Sequence, residues 1–198
     1  MERKLVTLKN SIILNCKGIF NNKGSYVILD TETTGLGKND VILQIGLIDL
    51  DGNILMDTLI RPSKRKRFSA EATAIHGLSM DSVKNAPTFI EIYSEFKKLI
   101  GTRELLIYNA PYDSRLLDQT AEQDGFELDA FNATCVMNLY SGYVGGWNNY
   151  HNSIKWQRLP GGDHTAVGDC LATLEVIKKM ADSEIQKLPK GWWEFWKN

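Results

Sequence analysis

The chain has 198 residues, is 43% hydrophobic and carries a formal net charge of −1, which suits one globular domain with an ample core. No apolar stretch approaches the ~18–20 residues needed to span a bilayer, and Lys9, Asn10, Asn15 and Lys17 interrupt any signal-peptide core. Cys16, Cys135 and Cys170 are odd in number, scattered and free of Cys-x-x-Cys spacing, which argues against a disulfide framework or zinc site and for a reducing cytoplasm.

Residues 1–24 form an N-terminal extension. Leu5–Leu8 and Ile12–Leu14 fit either two short strands or one amphipathic segment. Tyr26–Asp30 reads as a central buried strand that stops at an acidic pair. Val41–Asp49 and Asn53–Ile60 flank Asp51-Gly52, a hairpin turn signal, so the first three strands form an antiparallel meander. Arg61–Arg67 holds five cations in seven positions, either a solvated loop or a phosphate-contacting arm. Phe89–Ile100 has helical apolar spacing and stops at Gly101; Leu105–Tyr108 is a further strand, followed by a helix over Tyr112–Gln123. Trp147–Arg158 is aromatic and polar, and is either a cluster pinning a long loop or a surface that stacks single-stranded bases. Leu171–Met180 is amphipathic with lysines in its last turn. The tail, residues 183–198, puts four aromatics into Trp192–Trp196. Docking back onto the domain is expected there, with a subunit or partner contact as the alternative.

Asp30-Thr31-Glu32 is the junction that carries chemistry. Side chains two apart on a strand share a face, so Asp30 and Glu32 project together. Carboxylates that close repel unless a cation or shared proton lies between them, and without Cys or His an all-oxygen site favours Mg²⁺ or Mn²⁺. Taken alone, the triplet reads equally well as the opening of a turn, since Thr33-Thr34-Gly35 follows. Asp113 and Asp169, each beside a predicted helix start, bring the carboxylates to four. That is enough to hold two divalent ions at the ~3.5–4 Å spacing that phosphoryl chemistry uses. On one continuous helix His164 and Asp169 would lie about 140° apart. Both reach one site only if His164 precedes the helix, on the loop that Gly161 and Gly162 make pliable. A histidine there suits the removal of a proton from an attacking water.

These residues resemble the DnaQ-like, DEDDh group of 3′→5′ exonucleases, which includes polymerase proofreading subunits and RNase T. The first motif is similar to Asp30–Leu36, the second to Asn109-Ala110-Pro111-Tyr112-Asp113, and the third to His164 with Asp169; Ala74–Leu78 matches a further recurrent segment. The likeness spans roughly residues 25–182, and Tyr112 stands where the group more often has Phe. The resemblance implies an α/β, ribonuclease H-like fold: a mixed five-stranded sheet with helices on both faces. It further implies that Asp30 bridges both ions, Glu32 and Asp169 complete the tighter site, Asp113 supports the second, and His164 is the base. Thr31, Thr33, Thr34 and Leu36 would cradle the terminal nucleotide. Ile75 and His76 would wall its sugar or base, with a helix-entry hydrogen bond the equal alternative for His76; Asn109 and Tyr112 would face the adjacent unit.

The expectation is a metal-dependent 3′→5′ exonuclease releasing nucleoside 5′-monophosphates, with single-stranded DNA favoured because the surface is not polybasic. An RNA-trimming exoribonuclease of the same group is the alternative, and a non-catalytic nucleic-acid-binding module a second. An aspartyl-phosphate phosphatase would call for Asp at position 32 and leaves His164 unexplained. Gly35–Asn39 lacks the spacing and the Ser/Thr of a P-loop. The partner is a nucleic acid with a free 3′ end. With no polymerase or helicase domain attached, the chain is expected to act alone, as a homodimer or in a protein complex.

Overall fold

The computed structural model describes residues 2–188; the aromatic run Trp192–Trp196, with its expected docking, lies outside the described residues. The order of elements is α1 (Glu2–Asn21), β1 (Tyr26–Thr33), β2 (Ile42–Ile48), β3 (Ile54–Leu59), α2 (Ala70–His76), α3 (Met80–Val83), α4 (Phe89–Ile100), β4 (Glu104–Ile107), α5 (Ala110–Asp124), β5 (Ala133–Cys135), α6 (Val136–Val144), β6 (Trp147–Asn148), β7 (Ser153–Ile154) and α7 (Ala166–Ala181). The main sheet runs β3-β2-β1-β4-β5. The first three strands are the expected antiparallel meander, and β4 and β5 join in parallel. Asp49 makes the β2–β3 connection by accepting the backbone N–H groups of Asp51 and Asn53, with Gly52 at a φ of 87°.

Alternation along β1 sends Ile28 to one apolar layer and Val27 and Leu29 to the other. The first layer is closed by α1, α6 and α7, through Ile12, Tyr140 and Ile177 among others. The second is closed by α4 and α5, where Phe89 meets Phe96 and Tyr93 edge-on. Helices therefore cover both faces of a mixed five-stranded sheet. The approach of α7 to β2 is close enough that a Cβ on Gly46 would stand 2.5 Å from the backbone carbon of Ala166, so only glycine fits there.

The N-terminal alternatives resolve to one helix, because Ile12, Cys16 and Ile19 repeat at helical spacing and bury one face. That face packs on α6 and α7, and Asn10 exchanges two hydrogen bonds with the backbone of Gln186. The apolar core thus crosses position 24. Strand β1 runs past the expected end at Asp30 to Thr33, because β2 continues to pair with it as far as Ile42. Helix α5 begins two residues earlier than its apolar spacing implies, with Pro111 in its first turn. Among the described residues, no helix is long and apolar enough to cross a membrane.

Candidate active site

Strand β4 leaves β1 at Leu29, paired with Ile107, whereas β2 stays with β1 to its end. Asp30–Thr33 is consequently hydrogen-bonded on one side only, and a cleft of about 750 Å³ opens where β4 stops. Asp30 and Glu32 share the face of Ile28, toward α7; Thr31 and Thr33 share the other, toward α5. Asp113 and Asp169 are each the fourth residue of their helix. Their helix N-termini supply a positive dipole end that favours carboxylates in the first turn.

Carboxylate oxygens of Asp30, Glu32 and Asp169 lie within 4.8 Å of one another. Asp113 is buried beside them, and its Oδ1 accepts the Thr31 hydroxyl at 2.7 Å. Burial, then the charges of Asp113, Asp169 and Glu32, hold the Asp30 carboxyl well above the usual carboxylate range. Burial and the Asp169 and Asp113 charges push Glu32 up to about 8. Asp113 is pushed up to about 7, chiefly by burial, against the lowering pull of the Thr31 hydroxyl. Such mutual repulsion, in an all-oxygen set, fits a hard divalent cation.

His164 does precede the helix. It sits at a φ of 63°, and its backbone N–H donates to Asp169 Oδ1 at 3.2 Å. Asp163 accepts both the N–H and the hydroxyl of Thr165, while Thr165 caps α7 by accepting from Gly168 N. A Cβ on Gly162 would meet Asp169 Oδ1 at 2.5 Å, so a glycine is what lets this loop lie against the carboxylate.

The cleft brings together Asp30, Thr31, Glu32, Asn109, Tyr112, Asp113, His164 and Asp169 from the expected set. Thr33, Thr34, Leu36, Ile75 and His76 are not among its lining residues. Thr33 and Thr34 are buried, and both are braces. The Thr33 and Tyr112 hydroxyls meet at 2.8 Å, Tyr112 also donates to Gly35 O, and Thr34 donates to Asp40. Leu36 is 80% and Ile75 57% exposed. His76 donates from Nε2 to Thr33 O and accepts Leu78 N–H at Nδ1, both at 3.0 Å. The backbone thus uses both ring nitrogens, and His76 stands at the end of α2 and not at a helix entry.

The rest of the lining is Tyr108, Met137, Trp156, Gln157, Arg158, Leu159 and Gly162. Trp156–Arg158 belongs to a stretch with a visible aromatic signal; Tyr108 and Met137 carry none in the sequence. The basic run stays off the cleft, with Arg61 donating to Ala86 O and Lys66 to Asn39 O.

Residues 27–177 match the RNase_T family model, described as Exonuclease. An uncharacterized exonuclease, CP81, of Escherichia phage 186 is 38% identical over 172 residues, covering 78% of this chain and 87% of that protein. The DNA polymerase III subunit epsilon of Rickettsia typhi is 38% identical over 98 residues, covering 46% of this chain and 42% of the subunit. Among solved structures, Exonuclease X in complex with 5′ overhanging duplex DNA superposes with a TM-score of 0.55 at 24% identity, covering 82% of this chain and 96% of that one. E. coli Exonuclease I in complex with a dA16 oligonucleotide gives 0.62 at 15% identity, covering 79% and 42%. At these identities the structural likenesses speak for the fold.

Proposed function

The chain belongs to the RNase T family of exonucleases and is a nuclease of the DnaQ-like 3′→5′ type; from that premise we propose that it is metal-dependent and acts on single-stranded DNA ends, releasing nucleoside 5′-monophosphates. The observation that carries the proposal is the convergence of Asp30, Glu32 and Asp169 within 4.8 Å, with Asp113 buried beside them and His164 on the rim of one cleft. A non-catalytic binding module would have no use for four crowded carboxylates.

Asp30, Glu32, Asp169 and Asp113 would hold two divalent ions, Mg²⁺ or Mn²⁺. Bound there, the ions would neutralise charge on the scissile phosphodiester and make a water more acidic. His164 takes the proton from the attacking water, and its loop position leaves the imidazole free to exchange that proton with solvent. Thr31 orients Asp113 through its hydroxyl. Exposed Leu36 and Ile75, outside the cleft lining, would flank the terminal nucleotide, with Thr33, Thr34 and His76 bracing the turn that carries Leu36, while Asn109 and Tyr112 face the next unit. The exposed rim and the net charge of −1 suit an enzyme that grips a few terminal nucleotides.

The test is mononucleotide release from 5′-labelled single-stranded DNA, single-stranded RNA and duplex DNA, each with Mg²⁺, Mn²⁺ or excess chelator. DNA single strands should be degraded fastest, and chelator should abolish release. Undiminished turnover in chelator would remove the metal assignment, and faster release from RNA would turn the substrate assignment to the exoribonuclease alternative.

A further inference from the structure

We propose that the β6–β7 hairpin and the segment leaving it form a track for the upstream part of a single-stranded substrate, with Trp156 stacking one base and Lys155 and Arg158 flanking it on phosphates. Three observations converge on this segment. First, Trp156 lines the carboxylate cleft and also a second cavity of about 430 Å³, walled by Asn148, His151, Ser153, Ile154 and Lys155. The two spaces therefore meet at Trp156. Second, of the aromatic side chains lining the cleft, Tyr108 is buried and Tyr112 half-buried, whereas Trp156 is 75% exposed. A large ring held at the mouth of a cleft, rather than in a core, is available for stacking on a base face.

Third, the backbone under that ring is fixed. Lys155 N–H donates to Gly146 O at 2.7 Å, Gln157 N–H donates to the buried Ser141 hydroxyl, and the Tyr108 hydroxyl donates to Gln157 O. Asn148 Oδ1 accepts from Tyr150 N and His151 N, closing the hairpin. The platform is held while its side chains stay free. Lys155 and Arg158 are exposed, and neither pairs with an acidic side chain among the described residues. A polyanion approaching four carboxylates needs positive charge nearby, and these two cations bracket the ring within four residues of chain. Alternating cation and ring matches a strand whose bases are splayed; the interior of a duplex keeps its base faces stacked and cannot present one to Trp156.

The proposal rests on the nucleic-acid reading of the cleft, so its test uses binding and not turnover. Anisotropy of fluorescein-labelled dT3 and dT12 is followed in chelator with the full chain. The native protein should bind dT12 more tightly than dT3. Trp156→Ala should weaken dT12 about ten-fold, within the worth of one base stack, and bring it close to dT3; Trp156→Phe should restore most of the difference. Lys155→Ala with Arg158→Ala should shallow the dependence of log affinity on log salt, by roughly 0.7 for each phosphate that is no longer neutralised. Equal dT12 binding by native protein and Trp156→Ala would overturn the track. If the native protein binds dT12 through Trp156 yet releases no mononucleotide from any substrate, the track stands and the exonuclease reading falls.

Discussion

The Thr31 hydroxyl donates to Asp113 Oδ1 at 2.7 Å, joining the acidic strand to the first turn of α5 inside the protein. Both partners are buried, and the bond opposes the burial that pushes the Asp113 carboxyl up to about 7. A donor to a carboxylate stabilises its charged form. Thr31→Val keeps the shape and removes the donor, so the carboxyl should rise further and ionise less at neutral pH. The Mg²⁺ concentration for half-maximal turnover at pH 7 should increase by roughly ten-fold, the scale of a hydrogen bond to a charged group, and the deficit should shrink at pH 8.5. Thr31→Ser should behave as the native protein. An unchanged Mg²⁺ titration in Thr31→Val would mean that Asp113 needs no such help.

The carboxylates also set how stability depends on pH. Asp30 and Glu32 hold folded-state values above their unfolded ones, Glu32 at about 8. Below the unfolded values both states are protonated and nothing is lost. As pH rises, the unfolded chain releases these protons while the folded one retains them, so the metal-free fold weakens through the window up to about 8. Tm in chelator should therefore fall from pH 5 to pH 8.5, and Mn²⁺ should recover it. Glu32→Gln should raise the metal-free Tm at pH 8 and reduce the Mn²⁺ gain. A metal-free Tm that is flat across this range would contradict the crowding.

End dependence follows from the proposed 3′→5′ reaction, which starts at a free 3′ terminus. An oligonucleotide with a blocked 3′ hydroxyl should resist digestion, whereas a 5′ block should not matter. Incubation with a covalently closed single-stranded circle, resolved on a denaturing gel, should leave the circle intact. Linear product would reveal endonuclease activity.

Much of this candidate site was legible because its acidic residues fall where periodicities break. Asp30 and Glu32 end an apolar strand, and Asp113 and Asp169 open helices, so their placement needed only spacing. The continuation of β1 to Thr33 was not legible, since it depends on pairing with Ile42 and not on the local apolar stretch. Helix α1 remained ambiguous because its apolar residues satisfy two periods until α6 and α7 bury one face. Strand β5 is three residues long, too short to show alternation. The two-pair hairpin β6–β7 is shorter still, and the Trp156 ring reaches the cleft only through the anchoring of Gln157 to Ser141 and Tyr108. For His76 a substrate contact and a helix-entry hydrogen bond were equally open, because local spacing does not show that Thr33 O and Leu78 N meet its ring nitrogens.

His164 separates proton transfer from metal binding. Its imidazole accepts the proton of the attacking water in the proposed reaction, whereas its backbone N–H, which reaches Asp169 Oδ1, survives any substitution except proline. His164→Ala should therefore leave metal and oligonucleotide binding nearly intact, while turnover falls by roughly 10²–10⁴, the usual worth of general base catalysis. Position 164 is left-handed, at a φ of 63°, and alanine tolerates that region less well than asparagine. His164→Asn is the control that keeps the loop and still lacks the base, so it should lose turnover to the same degree. Asp169→Ala should instead weaken metal binding itself. Near-native turnover in His164→Asn would make His164 a loop residue, and the search for the base would pass to His151.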